Sequence, residues 1–397
     1  MAKKKLLVTA STFPRWEGDT EPRFVLDLCK HMTEWFDITI MVPYAPGAKE
    51  KETLEGMNVI RYHYFPVHKW ETLCYPGAIV PRIREKKIRV LLVPFLFIAL
   101  YYQLFRRLSS FDIVHVHWII PQGIVQSFFN KPYVVTGHGG DVTSLNKGIV
   151  KRLKIRCLNR AGHVTVVSDY LRKRILELTD VPQIDVISMG VNVSSFGKQY
   201  FCANYFGQGE KKVVLFVGRL AEKKGVTYLI SAMAKVDAML VIVGEGTLKK
   251  ELQEQARKLN VNAVFWGSKT HDELKKIYAS ADVFVAPSVT AKDGDQEGLG
   301  LVMLEAMASG LPVIASDSGG ISQVVEDGVN GLLCPEKDVE RLADSIAAVL
   351  QNDELGGWLS GNGMKMVKRY DYATLAEKYA LIMSGMLEGS REERTVE

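Results

Sequence analysis

Residues 283–316 read VFVAPSVTAKDGDQEGLGLVMLEAMASGLPVIAS, and their punctuation decides the fold. VFVAPS (283–288) and PVIAS (312–316) are short apolar runs of the kind that form buried strands, whereas LVMLEAMAS (301–309) opens a helix. Strand, glycine-bearing loop, helix and strand make one βαβ unit, the repeat of a parallel sheet. The segment also sets Glu297 and Glu305 eight residues apart. In a continuous helix that spacing leaves two acids about 80° apart around the axis and about 12 Å apart along it, so they cannot share a proton. Glu297 is therefore read in the loop and Glu305 on the second helical turn.

The same alternation runs along almost the whole chain. Strands are expected at LLVTA (6–10), ITIMVP (38–43), NVIRYH (58–63), IVHVHW (113–118), YVVTG (133–137) and VTVVS (164–168), then at VVLFVG (213–218), MLVIVG (239–244) and AVFWG (263–267). For 397 residues this predicts an α/β protein of two Rossmann-like, doubly wound domains facing a deep cleft. The boundary is placed at 192/193, inside a stretch (190–212) that loses periodicity and gathers Gly, Ser and Asn. The second domain then ends near 371, and a helix over about 372–390 is free to pack back on the first.

An apolar content of 47% with 24% charged residues excludes a disordered or fibrous chain. Five scattered cysteines without a CxxC pair offer neither a disulfide framework nor a zinc site, which fits a reducing cytoplasm. MAKKKLLVTAST reads as a first strand rather than a signal peptide. The net charge of +5 divides unevenly: residues 1–190 hold 27 Lys/Arg against 17 Asp/Glu, +10, and the remainder carries −5. A basic first half points to an anionic partner such as phosphate, phospholipid headgroups or nucleic acid, or else is an ordinary solvated basic face.

VLLVPFLFIALYY (90–102) breaks the α/β pattern. It is shorter than the roughly 20 apolar residues a spanning helix requires, and Pro94 fits the first turn of a helix starting near 93. Phe95 and Phe97 with Arg84, Lys86, Lys87, Arg89, Arg106 and Arg107 around them suit a helix lying in a membrane interface. A buried core helix with basic ends is the alternative. KGIVKRLKIRCLNR (147–160) adds a second basic segment.

In open α/β sheets ligands bind beyond the carboxyl ends of the strands. VGRLAEKKG (217–225) follows a strand and supplies Gly218, Arg219 and Lys224, two cations able to clamp a diphosphate, or else an ordinary basic turn. In EGLGLV, Gly298 and Gly300 permit close approach to the amides of Leu299, Leu301 and Val302, where a helix start can hold phosphate oxygens. A loop carboxylate such as Glu297 can bind sugar hydroxyls, and one deeper along the helix, Glu305, can bind a ribose or serve a structural partner. There is no GxxxxGK[ST], and GEG (244–246), with Gly244, is too short for a dinucleotide fingerprint. DGD (293–295) has the form of a metal-holding DxD but sits in a polar loop and is read as solvated. In the first half, TGHGGDV (136–142) puts His138 and Asp141 at a strand end, and TFPRWEGDTEPRF (12–24) brings Arg15, Gly18 and Asp19 into the loop after the first strand.

TFPRWEGD, HVHW, TGHGGD, VGRLAEKKG, IVGEG, EGLGLVMLEAMASGLPVIASDSGG and NGLL, in this order over about 380 residues, resemble the retaining glycosyltransferases of family 4, with the GT-B fold. The resemblance implies a nucleotide-sugar donor, UDP-linked by expectation, and no cofactor or metal. It makes Arg219 and Lys224 diphosphate binders, Glu297 a contact of the donor sugar, Glu305 of the ribose, and His138 a group approaching that sugar, with Gly218, Gly244 and Gly267 lining the site. One glycine, Gly18, stands where many relatives have two, which leaves that loop's part open. Retention is drawn in this family as same-face attack, the leaving phosphate taking the acceptor proton, so neither glutamate has to be an acid or a base. The acceptor is expected to be a lipid or lipid-linked glycan at the inner face of the cell membrane, with no nucleic acid involved. An epimerase of the same fold, a non-catalytic sugar-nucleotide sensor and a transferase with a soluble acceptor are the alternatives.

Overall fold

The computed structural model describes residues 3–395 apart from 20, 208, 293 and 295, and for 389–395 the backbone alone. The described chain forms two compact units. Unit 1 runs to Ser188 and resumes at Tyr372, and unit 2 is Met189–Asp371. The first crossing thus falls four residues before the boundary read from sequence. The stretch 190–212 is not a free linker, because Phe196 and Phe206 are buried in the core of unit 2.

Unit 1 contains β1 (Lys4–Thr9), β2 (Phe36–Pro43), β3 (Lys51–Leu54), β4 (Met57–Tyr62), β5 (Ile113–His117), β6 (Tyr133–Gly137), β7 (His163–Val166) and β8 (Ile184–Val186). They form one sheet in the order β3-β4-β2-β1-β5-β6-β7-β8, parallel except for the β3–β4 hairpin. Leu6, Leu7 and Val8 of β1 are all inaccessible, as expected of a parallel strand covered on both faces. One cover is the Phe24–Met32 helix, against which the Tyr372–Thr395 helix packs. Tyr372, Leu375, Ala376, Tyr379, Ala380 and Met383 lie on one helical stripe and enter the core of unit 1. Each large apolar side chain buried this way contributes about 1.5–3 kcal/mol, which accounts for the return of the C-terminal segment to unit 1.

Unit 2 contains β9 (Val213–Val217), β10 (Met239–Val243), β11 (Ala263–Gly267), β12 (Val283–Ala286), β13 (Val313–Ser316) and β14 (Leu332–Cys334), all parallel. The order β11-β10-β9-β12-β13-β14 is the 3-2-1-4-5-6 pattern of a doubly wound sheet. The chain moves outward from β9 through β10 and β11, then crosses to β12 on the other side. The β9–β12 junction is therefore the switch point where loops part. Set aside β3, and unit 1 has the same order outward from β1, with its own switch point between β1 and β5.

The segment expected to be too short to span a bilayer is longer than its apolar run. Helical structure continues over Lys87–Ser110, 24 residues, with the α-helix itself at Val93–Arg107. By length and composition alone it could cross a membrane, so the length argument against spanning does not hold. Leu96, Leu100 and Leu104, one turn apart, are buried.

Candidate functional site

In unit 2 the loops leaving the carboxyl ends of the strands are stitched together. The Gly218 amide donates to Val243 O at 2.9 Å, Leu220 N to Glu245 O at 2.9 Å and Gly244 N to Gly267 O at 2.8 Å. A Cβ on Gly244 would lie 2.0 Å from the Gly218 carbonyl oxygen, so this approach requires glycine. Across the switch point Val289 N donates to Lys223 O at 2.8 Å, and between the loops after β12 and β13 Gly320 N donates to Glu297 O at 3.0 Å.

At the β9–β12 junction the Lys224 ammonium and the Glu297 carboxylate form an ion pair, with side chains only 16% and 14% exposed. Burial would raise the Glu297 carboxyl, but Lys224, helped by Lys223 and the Gly298 amide, outweighs it, and the carboxyl sits below its ordinary range. Glu297 is thus ionised at neutral pH and cannot serve as a proton donor. Arg219, in the same loop as Lys224, is exposed and makes no ion pair among the described residues. Gly300 caps the Leu301–Ala308 helix in the left-handed region (φ 74°). Among the described residues the amides of Leu301 and Val302 meet no backbone carbonyl, while Met303 N folds back on Gly300 O at 2.8 Å. Leu299 is buried, and Leu301 and Val302 pack on the core, so these residues can offer a ligand backbone only. Glu305 stands on the second turn and accepts a hydrogen bond from the Tyr278 hydroxyl at 2.8 Å. Tyr278 is fully buried, and that burial, with the Glu305 charge, raises its pKa well above the ordinary value. Glu297 and Glu305 therefore do different work. Asp293 and Asp295 of DGD lie outside the described residues.

The corresponding edge of unit 1 is built on histidines. His115 and His117 alternate along β5 and so share one face. His117 Nδ1 lies 3.0 Å from His138 Nε2, and His115 Nε2 lies 2.8 Å from the Thr136 hydroxyl, which meets Thr165 Oγ1 at 2.7 Å and the Tyr379 hydroxyl at 3.3 Å. His138 is half-buried as a residue, but its ring is packed by Trp118 (ring centroids 4.7 Å), Phe24 (5.2 Å) and His117, and its Nδ1 is buried without a hydrogen-bond partner among the described residues. Burial lowers its pKa to about 4 against the opposing pull of Asp141, so the ring is neutral at physiological pH. Trp118 itself is held at φ 71°, a strained setting for a bulky residue.

The two acids singled out at these strand ends as acceptor or cleft candidates, Asp141 and Asp19, are occupied by the protein itself. Asp141 accepts from the amides of Ile119 (2.9 Å), His138 (3.1 Å) and Gly139 (2.8 Å), so it shapes the His138 loop. Asp19 takes the Arg15 guanidinium in a fork at 2.9 and 2.6 Å, while Gly18 beside it lies in the left-handed region. Lys154, which sequence reading passed over, is buried and donates to Val142 O (2.8 Å) and Ser144 O (2.9 Å), fastening the segment after Asp141.

The membrane candidates separate into two groups. Arg84, Lys86, Lys87 and Arg106 are exposed, Phe97 and Arg107 are half-buried, and Phe95, Ile98, Tyr101, Tyr102 and Phe105 expose an apolar ridge. Arg89 does not belong with them: it is buried and bonded to Arg82 O (2.7 Å), Glu85 (2.9 Å) and Thr72 Oγ1 (3.2 Å).

Two sheets wound in the same order, the second with a cation–carboxylate pair and an open helix start at its switch point, are the architecture of the GT-B fold. The structure of sucrose-phosphate synthase from Thermosynechococcus elongatus is similar at a TM-score of 0.76, covering 98% of this chain and 100% of that one at 21% identity, a likeness of fold. Residues 22–195 match Glycosyltransferase Family 4 and residues 204–366 match Glycosyl transferases group 1. A phosphatidyl-myo-inositol mannosyltransferase of Mycobacterium leprae is 32% identical over 285 residues, 68% of this chain and 72% of the relative. An uncharacterised glycosyltransferase of Methanocaldococcus jannaschii is 29% identical over 354 residues, 83% of this chain and 85% of the relative. The chain belongs to this glycosyltransferase family, with a Family 4 domain followed by a group 1 domain.

Proposed function

We propose that this glycosyltransferase moves a hexosyl group from a nucleoside-diphosphate sugar, UDP-linked in the first instance, to a lipid or lipid-linked glycan, with retention and without a metal. The observation that carries the reading is the Lys224–Glu297 pair at the unit 2 switch point, beside the Gly300 helix start. Arg219, Lys224 and the free amides there offer positive charge to a diphosphate leaving group, which is the role a metal would otherwise fill. Ionised Glu297 accepts hydrogen bonds from sugar hydroxyls, Glu305 takes the ribose, and neutral His138 offers a hydrogen bond to the transferred sugar rather than a proton at neutral pH.

The lipid acceptor rests on two supports. The Mycobacterium leprae relative is named for phosphatidyl-myo-inositol, and unit 1 carries an exposed apolar ridge among cations, the pattern of a helix held at an anionic interface. On that reading the enzyme sits peripherally on the cytoplasmic face of the membrane. The test is transfer from a panel of UDP- and GDP-hexoses, with and without EDTA, onto anionic vesicles carrying extracted lipids. Product is identified by mass spectrometry and its anomeric configuration by NMR. A glycolipid that keeps the donor configuration and forms in EDTA supports the proposal, while hydrolysis or epimerisation with no lipid product contradicts it.

A further inference from the structure

The Lys224–Glu297 pair has a consequence beyond holding a donor, one that rests on the nucleotide-sugar reading above. With both side chains largely enclosed and in contact, Lys224 is already neutralised when no ligand is present. A bare nucleoside diphosphate must draw that ammonium away and then lie beside a carboxylate deprived of its closest cation, a like-charge contact that costs affinity. Lys223 also acts on Glu297 through charge, but its ammonium is turned to the Gln296 carbonyl at 3.4 Å. A sugar-bearing nucleotide makes the same demand on Lys224 and brings compensation, because its hydroxyls donate to the Glu297 oxygens that the lysine gives up. We infer that the Lys224–Glu297 ion pair is a load sensor, selecting the sugar-bearing nucleotide over the discharged nucleoside diphosphate and so favouring product release. Glu305 plays no part in this, since its carboxylate is engaged by the Tyr278 hydroxyl at 2.8 Å and not by Lys224.

Calorimetric titration without acceptor tests the inference, using UDP, GDP and their hexose conjugates against the parent, Glu297→Gln, Lys224→Ala and the double variant. Glu297→Gln keeps the shape and removes the charge. It is expected to bind the bare diphosphate roughly tenfold more tightly and the sugar-bearing form more weakly, and the gain should shrink once Lys224 is also replaced, leaving only the relief of the like-charge contact. Lys224→Ala gives an independent reading should Glu297→Gln not fold: it leaves Glu297 free for the sugar hydroxyls, so the loaded nucleotide should keep at least the parent's advantage over the bare one, and a smaller advantage would overturn the sensor. Bare-diphosphate affinity unchanged or weakened in Glu297→Gln, or a gain undiminished by loss of Lys224, would overturn the sensor while leaving the donor site standing. A parent that binds none of these nucleotides would remove the donor reading itself, and the sensor with it.

Discussion

At the carboxyl edge of the unit 2 sheet, a lysine and a glutamate from loops on either side of the switch point pair with each other, largely enclosed. At the same edge of unit 1 Arg15 is turned onto Asp19 and Asp141 onto three amides, and the imidazoles of His117 and His138 beside them are uncharged. Strand order is the same outward from β1 and from β9, so topology does not cause the difference; the loop residues do. One edge is suited to an anionic diphosphate, the other to neutral hydroxyls. The two should therefore fail differently when charge or pH is changed.

The largest effect is expected in unit 2. Lys224→Ala should lower the rate of glycosyl transfer roughly 10²- to 10³-fold, the loss typical of removing one group that stabilises developing charge. Steady-state rates on the natural donor check this, and a normal rate would contradict the leaving-group role.

The next effect separates the units by pH. Folded His138 titrates at about 4 and His115 at about 3, both lowered chiefly by burial, whereas unfolded histidine titrates near 6.5. As pH falls from 6.5 toward 4 the unfolded chain takes up protons that the folded chain refuses, so stability present above pH 6.5 is progressively lost. At about 1.4 kcal/mol per unit, His138 alone accounts for about 3 kcal/mol by pH 4. Glu297 is shifted below its ordinary 4.5, so its contribution is intact above that value and disappears only at lower pH. Amide exchange should thus show β6 losing protection before β9 between pH 6.5 and 5, with a shallower slope in His138→Gln. Equal loss in both strands would sink the contrast.

Smaller again is the effect on the exposed ridge of unit 1. Ile98 and Phe105 are 67% and 70% exposed, so Ile98→Ser and Phe105→Ser should leave thermal stability unchanged. Each should lower co-sedimentation with anionic vesicles several-fold, on the order of 1 kcal/mol of apolar transfer. Arg89→Ala is the control in the opposite sense, since its guanidinium ties Thr72, Arg82 and Glu85 together. It should lower stability whether or not vesicles are present.

Much of this was legible in the sequence, for physical reasons. Long β-branched runs on covered strands announce themselves, whereas β3, β8 and β14 have four, three and three residues at or next to sheet edges. The β3–β4 turn hides further because Glu55, not Gly or Asn, takes its first left-handed position (φ 47°). The residues of the proposed diphosphate site lie close in sequence to their loops and could be named. What could not be seen is how each acid is used: Asp19 and Asp141 look like site acids until their partners, amides and an arginine fixed by loop geometry, are known. The i, i+2 spacing of His115 and His117 was a usable signal, while Tyr278, on another helix, gave none.

That tyrosine provides the finest test of the division of labour between the two glutamates. Tyr278 sends one hydroxyl to Glu305 and none to Glu297, so Tyr278→Phe removes a single hydrogen bond, about 1 kcal/mol, while the ring keeps its place in the core. If Glu305 holds the ribose, losing its orienting donor should weaken nucleoside-diphosphate binding about fivefold and weaken the sugar-bearing nucleotide by the same factor. The ratio between the two would then stay fixed, in contrast to its reversal in Glu297→Gln. Titration of both ligands checks this, and a changed ratio in Tyr278→Phe would mean that the two carboxylates are not independent.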